Sequence, residues 1–352
     1  MGKGLEKTPA VSVIIAIRGD EPHVGRCLRS VLDGTLPEDD IEIIVADGGS
    51  SDHALRSLKE VAAGHLCIRV IDNPKRITPA GFNEAIKAST GRAICILSAH
   101  CYVDPDYLET CLAGLDSQCA DVVGGVMVTL PGSDSAQARM IQAITSSRFG
   151  MGSSFRTIRR DGPVDTVVFG VYRREVFERI GLFDERLVRN QDNELNSRLR
   201  ASGGKVWLAS QTASYYFGRQ SLRRLGVQNF RNGMYGILTW RITPASFAVR
   251  HAVPMMFVLF VMGGGLISLV WPAAAYAYLG ALGLYATMGI AAGVSTALRT
   301  RDPLAMLLPF AFVVLHVVYG LGSLVGICRF GATRLAGPGP EKLQPMRQDT
   351  QC

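Results

Sequence analysis

No two cysteines in this chain are spaced C-x-x-C, and none of the eight (at 27, 67, 95, 101, 111, 119, 328 and 352) has metal-finger spacing. That excludes zinc-finger and dithiol redox chemistry. Several fall on apolar faces and no cleavable signal opens the sequence, so reduced thiols in a cytosolic domain are expected. Acids are missing from a second place. From Arg219 to Arg250 there are six arginines and neither Asp nor Glu, directly before the first long apolar run. The net charge of +7 is therefore gathered where it suits anionic lipid headgroups, and nucleic acid is not the expected partner. Asp, Glu, Lys and Arg are all absent from three further stretches, 252–271, 273–296 and 303–327. Each has the ~20 residues that cross a hydrocarbon layer. No soluble core needs three such runs in succession, and the mean hydropathy of +0.19 agrees with a chain partly in lipid.

Arg250 and His251 before the first run, and Arg299 and Arg301 between the second and third, put those ends in the cytosol and turn Trp271-Pro272 outward. Three full crossings would leave Arg329, Arg334, Lys342 and Arg347 outside, against the same rule. The third run is therefore expected to be re-entrant or interfacial. Within it, His316 is an ionisable group at membrane depth, either functional or bonded to a neighbouring helix. The frequent glycines of this region fit close helix approach. Between residues 221 and 241, apolar residues interleave with arginines, as in an amphipathic segment lying at the interface.

The first 215 residues read as alternating strands and helices. The run at 11–17 (VSVIIAI) is β-branched and suits a central parallel strand, followed by a helix with Val24, Cys27, Leu28, Val31 and Leu32 on one face. A strand at 41–46 leads to the loop DGGSSD, with Ser51 as N-cap of the next helix. A third strand at 67–71, a helix at 79–88 and a fourth strand ending in Leu97 complete the series. Such alternation predicts an α/β fold with a mostly parallel, doubly wound sheet whose ligand loops lie at the carboxyl ends of the strands. Ser98-Ala99-His100 stands at one such end. Asp104 and Asp106 beyond it are expected to belong to the start of a helix, with Asp104 as cap and Pro105 in the first turn. Residues 121–130 and 164–172 read as further strands, and the Gly-rich 148–156 as a loop near the site.

In order along the chain, VSVII with DE, VADGGSSD, NP with AGFNEAI, GRAICILSAH, FGVYRREVFERIGLFDE and NQDNELNSRLRASGG resemble the glycosyltransferases of family 2, which have the GT-A fold. The likeness is greatest to membrane-anchored enzymes of the succinoglycan type, which add sugars to lipid-linked exopolysaccharide precursors. It covers residues 11–233 well and the apolar part more loosely. The resemblance implies that Asp47 reads the base of a nucleoside diphosphate sugar, with Asp20 where the family usually has a glutamate. Lys75 and Arg76 would neutralise the diphosphate. The family's metal motif is Asp-any-Asp, or Asp-Ala-His in the nearest subgroup. This chain keeps His100 as ligand for Mn²⁺ or Mg²⁺ and has Ser98 for the first carboxylate, whose role a serine shares only in part.

Asp192 matches the family's general base, and one base without a covalent intermediate implies inversion at the anomeric carbon. Glu194 is expected to pair with Arg198 one helical turn on. Arg156 and Asp165 match a subgroup signature and would lie near acceptor or phosphate. Gln228 and Arg231 have the Q-x-x-R spacing of processive synthases, although Asn232 replaces their tryptophan and the apolar runs are too few for a channel.

The expected organisation is a cytosolic GT-A domain over 1–215, a basic amphipathic segment over 216–251, membrane helices over 252–328 and a polar tail over 329–352. The expected function is an inverting, metal-dependent transferase of the bacterial inner membrane. It would move sugar from a nucleoside diphosphate sugar, UDP above all, to a polyprenyl-diphosphate-linked acceptor. The rivals are a polyprenyl-monophosphate sugar synthase and a non-catalytic nucleotide-binding membrane partner.

Overall fold

The computed structural model describes residues 7–152, 158, 160–331 and 339–342. In chain order its elements begin with β1 (Val11–Gly19), α1 (Val24–Leu32), β2 (Ile41–Ser50), α2 (Asp52–Ala62), β3 (Ile68–Asp72), α3 (Thr78–Ala88), β4 (Ala93–Ser98), β5 (Cys101–Val103) and α4 (Tyr107–Ser117). They continue with β6 (Val122–Leu130), α5 (Ala136–Thr145), α6 (Arg148–Met151), β7 (Gly162–Pro163), β8 (Val171–Arg173), α7 (Arg174–Ile180), α8 (Gln191–Ala201) and β9 (Val206–Phe217). The last are α9 (Leu222–Ile242), α10 (Val249–Leu259), α11 (Gly265–Val270), α12 (Pro272–Thr300) and α13 (Leu308–Phe330). Two compact units interleave along the chain. The first comprises Met1–Met127, Arg159–Tyr216 and Ala336–Cys352, the second Val128–Ile158 and Phe217–Leu335.

The strands form one sheet in the order β3-β2-β1-β4-β8-β6-β9-β5, with β7 also on β9. Its first half is parallel: β1 pairs with β2 and β4, and β2 with β3. Ile14, Ile15, Ile43, Ile44 and Ile94 are fully buried, as parallel strands covered on both faces require. Beyond β4 the sheet turns antiparallel, with β8 between β4 and β6, and β9 pairing with β5. Only three residues of the expected strand at 164–172 and just after it join that ladder as β8. Phe169, at φ 60°, breaks the extended run before it.

Four buried thiols, Cys27, Cys95, Cys101 and Cys111, sit in this core, and all seven cysteines among the described residues are free. Burial drives the Cys95 and Cys111 thiols up; for Cys27 the hydrogen bond with Cys101 comes first and burial adds to it.

Asp106 stands at the N-cap position of α4, as expected of an acid at the helix start. Neither its side chain nor that of Asp104 caps the helix, which corrects the expectation of Asp104 as cap. Asp104 Oδ2 accepts from the Ala213 amide at 2.9 Å and Asp106 Oδ1 accepts from Thr212 Oγ at 2.8 Å, so both tie β9 to the turn after β5. The local D-P-D-Y pattern does suit a cap. A backbone amide and a threonine hydroxyl on a strand distant in sequence take the carboxylates instead.

In the second unit, Val249–Val270, Pro272–Thr300 and Pro303–Phe330 are long and apolar enough to cross a membrane. The first is bent through a π-helical turn, Phe260–Gly264, between α10 and α11. The expected amphipathic segment is α9, and it packs backbone to backbone on α13. A Cβ added to Gly322 would lie 2.1 Å from the Phe230 carbonyl, and one on Gly233 would lie 2.1 Å from that of Tyr319. Gly320 meets α10 in the same way, at the Pro254 carbonyl. His316 Nδ1 bonds the Tyr285 hydroxyl of α12 at 2.8 Å and its ring meets Phe149 edge-on, so this imidazole takes part in helix packing.

Candidate functional site

Parallel pairing sets the site. Ile17 of β1 is level with Asp47 of β2, Asp47 with Asp72 of β3, and Ala16 with Ser98 of β4. The loops that leave these strands therefore meet along one edge of the sheet, where open parallel sheets bind ligands.

At the end of β2, Asp47 closes its own loop. Its Oδ1 accepts from the amides of Gly49 (3.0 Å) and Ser50 (2.9 Å) and from Ser50 Oγ (2.7 Å). Gly49 has φ 93°, which favours glycine, and a Cβ on Gly48 would press on the Arg76 Cα and the Asn73 amide at 3.2 Å. Buried Asn73 supports this floor: its N–H donates to the Asp47 carbonyl at 2.8 Å and its side chain to Ile77 O at 3.0 Å. Arg76 itself is left-handed, φ 54°, and its carbonyl accepts from Arg18 Nη1 at 2.8 Å. The Asp47 turn thus lies between backbone and two guanidinium-bearing residues. Lys75, by contrast, is held in an ion pair with Glu185.

At the end of β4 the loop Ala99-His100 is tight, and it is followed by β5. The His100 amide donates to Ser98 Oγ at 3.3 Å, so Ser98 serves this turn. The imidazole Nδ1 of His100 lies 3.1 Å from Glu21 Oε2, and the Glu21 side chain is only 12% exposed. Asp20, next to it, points the other way. It is 71% exposed, near His53 at 3.5 Å, and accepts from the Ser51 hydroxyl at 3.4 Å. Glu21 is therefore the acid of this loop that lies beside His100, whereas Asp20 lies against Ser51 of the loop after β2. The signal was present: β1 and β4 are neighbours in a parallel sheet, so the residues after each strand face one another.

Among the described residues no group of three or more His, Cys, Asp or Glu is arranged to hold a metal ion. The donor set that exists is His100 backed by a buried carboxylate. That is a common arrangement around a metal-binding imidazole, because the carboxylate fixes the ring orientation through Nδ1 and leaves Nε2 for the ion. The residues fit Mn²⁺ or Mg²⁺ held by one protein ligand, with other positions left to a ligand's own oxygens or water.

Asp192 stands in the first turn of α8, entered through Asn190 at φ 60°. The helix is fixed from both sides. Buried Asn196 donates to Thr166 Oγ and Val167 O and accepts from the Tyr172 hydroxyl at 3.0 Å. Burial first, and then the charge of Asp192, push the Tyr172 phenol up. Glu194 pairs with Arg198 through two 2.9 Å contacts, and Arg198 also donates to the carbonyls of Ile180, Gly181 and Leu182. The base candidate thus sits on a helix that cannot shift without breaking buried bonds.

The remaining expected residues belong to other parts of the chain. Asp165 is exposed between β7 and β8, and its carbonyl accepts from Arg200 at 2.9 Å. Gln228 and Arg231 belong to α9 of the second unit, where Gln228 accepts from Arg219 at 2.7 Å. Arg156 lies outside the described residues.

Residues 12–181 match the model of the family described as Glycosyl transferase family 2. Over 339 residues the chain is 26% identical to the dolichyl N-acetyl-alpha-D-glucosaminyl phosphate 3-beta-D-2,3-diacetamido-2,3-dideoxy-beta-D-glucuronosyltransferase of Methanococcus voltae, spanning 92% of this chain and 98% of that one. It is also 26% identical over 312 residues to the succinoglycan biosynthesis protein ExoA of Rhizobium meliloti (strain 1021), spanning 88% and 92%. Among solved structures it is similar to the mannosyltransferase PcManGT from Pyrobaculum calidifontis, in complex with GDP-Man and Mn²⁺. There the TM-score is 0.58 and the identity 16%, over 90% of this chain and 88% of that one.

Proposed function

Since residues 12–181 are a glycosyl transferase family 2 domain and the fold is GT-A, we propose that this glycosyltransferase moves a sugar, with inversion, from a nucleoside diphosphate sugar to a polyprenyl-linked glycan at the cytosolic face of a bacterial inner membrane. The observation that carries the reading is the convergence of the Asp47 turn, Arg76 and the His100–Glu21 pair at one sheet edge.

Asp47 keeps one carboxylate oxygen on its own turn and offers the other to a base N–H, the role that a UDP donor needs. Arg76 and Arg18 set positive charge beside the diphosphate. A divalent ion on His100, where Glu21 orients the ring, would supply counter-charge to the leaving diphosphate. Asp192 takes the proton from the acceptor hydroxyl, which is too weak an acid to attack C1 unaided near neutral pH. Attack comes from the face opposite the diphosphate, and no protein nucleophile is required.

The Methanococcus voltae relative is named for transfer to a sugar already on dolichyl phosphate, and the Rhizobium meliloti relative for succinoglycan biosynthesis. The first supports a lipid-linked sugar as acceptor over a bare lipid phosphate. The acidic first position of the metal motif is Ser98 in this chain, and Glu21 is the carboxylate that compensates for it. Asp165, Gln228, Arg231 and Arg156 are the proposed acceptor or phosphate contacts, and Lys75 reaches the donor only by leaving Glu185.

The test is nucleoside diphosphate release from a panel of nucleotide sugars, with and without Mn²⁺, against polyprenyl-diphosphate-linked sugar and polyprenyl monophosphate. Metal-dependent release with the glycan-bearing lipid is expected. Release with the bare monophosphate alone would make the chain a lipid-phosphate sugar synthase, and release with no donor would make it a non-catalytic partner.

A further inference from the structure

The third apolar helix ends at Phe330, yet residues 339–342, beyond it, are part of the first unit. The contact is specific. The Leu182 amide donates to the Glu341 carbonyl at 2.7 Å, and the Glu341 carboxylate pairs with Lys87 Nζ of α3 at 2.7 Å. Gly181 lies beneath it with φ 83°, and a Cβ there would press on the carbonyls of Glu341 (3.0 Å) and Pro340 (3.2 Å). The glycine is therefore required twice, by its backbone angle and by the close approach of the returning segment.

The turn that this segment covers is the one whose carbonyls, those of Ile180, Gly181 and Leu182, are gathered by Arg198. Arg198 is fixed to Glu194, which is two residues from Asp192 on α8. A continuous set of bonds runs from Glu341 through the 180–182 turn and Arg198 to the helix that carries the base.

We propose that residues 339–342 are a clasp that docks on the 180–182 turn and holds the Asp192 helix in register, so that the chain after the third apolar helix is on the same side of the membrane as the first unit. The apolar helices then cross an even number of times, and one of the three does not span. Glu341 and Leu182 are positioning residues. They do not touch substrate. The kinetic part rests on the reading of Asp192 as base, whereas the docking and the sidedness do not.

Three measurements on the full chain in native membranes test this. A Lys87→Cys, Glu341→Cys double variant treated with a short bis-maleimide should give a peptide joining the two positions, which neither single variant gives. An epitope inserted after Lys342 should be cut by protease only in vesicles of the orientation in which a site inserted at Arg160, in the first unit, is also cut. Absence of the cross-link, or cutting in opposite orientations, overturns the clasp whatever the enzyme's activity.

The third measurement is kinetic. Replacing residues 339–342 with four glycines should lower kcat about fivefold while the donor KM stays put, the scale of coupling carried through packed contacts. Glu341→Lys should lower kcat less, and adding Lys87→Glu should recover that loss. Unchanged kcat in all three variants overturns the positioning role. If the cross-link and sidedness hold in a protein that turns over no donor, the clasp stands and the transferase reading falls.

Discussion

Glu21 and His100 come from different strand ends and meet with 3.1 Å between carboxylate and imidazole. The buried acid lies beside an imidazole that is 32% exposed, and under the proposed metal role it would orient that ring as a ligand. Glu21→Gln keeps the shape and removes the charge. The Mn²⁺ concentration for half-maximal diphosphate release should rise roughly 10- to 100-fold, the usual effect of losing such a partner. His100→Ala should abolish the metal dependence. Activity indifferent to chelator and to both variants would remove the metal from this edge.

Asp192→Asn leaves α8 and its buried bonds in place but cannot accept the acceptor proton. A fall in kcat of roughly 10²- to 10⁴-fold is expected, with donor binding by calorimetry unchanged. A variant that also loses donor binding would point to a structural role for Asp192.

For Asp47, turn formation and base recognition make different demands. Asn can keep the Oδ1 acceptor that holds Gly49 and Ser50, so Asp47→Asn should fold normally. If the carboxylate also meets a base N–H, the donor KM should rise about tenfold or more, the scale of a charged hydrogen bond. A wild-type KM would leave Asp47 with the turn alone.

In the second unit, Gly322→Ala sets a methyl group against the Phe230 carbonyl, where no flexible side chain can yield. Thermal unfolding in detergent should show a loss of roughly 1–3 kcal/mol. Gly280→Ala on α12, where an added Cβ meets nothing within 4 Å, is the matched control and should be neutral.

His23, at the start of α1, has its imidazole pKa held below the ordinary 6.5, by burial first and by Arg26 second. The folded protein therefore resists a proton that the unfolded chain accepts. Stability should be flat above about pH 6.5 and fall as pH drops below it, until the folded group also titrates. Unfolding midpoints at about pH 7.5 and about pH 5.5 should differ less in His23→Gln than in the parent.

The parallel half of the fold was legible because buried strands write long β-branched runs and their helices carry a regular apolar face. VSVIIAI became β1, and Ser51 caps α2 through the Ala54 amide. Glu194 pairs with Arg198 as the helical spacing predicts. What the sequence hid depends on distant partners. β5 has three residues and no periodicity of its own, and Asp104 looks like a cap until β9 arrives with an unpaired amide. Nothing in the amphipathic pattern of α9 names α13 as the surface it covers. The choice between Asp20 and Glu21 is made by which side chain turns inward, and adjacent acids in a loop carry no local mark of that.

The pairing of Cys101–Val103 with Ser214–Tyr216 has a consequence for biosynthesis. The His100 turn is braced by a strand that leaves the ribosome only just before the apolar helices do. A nascent first unit has the loops after β1 and β2 early, but the brace on its His100 turn closes last. Donor binding should therefore become possible at about the moment when the chain is being handed to the membrane, and a truncated product that ends before β9 should bind none.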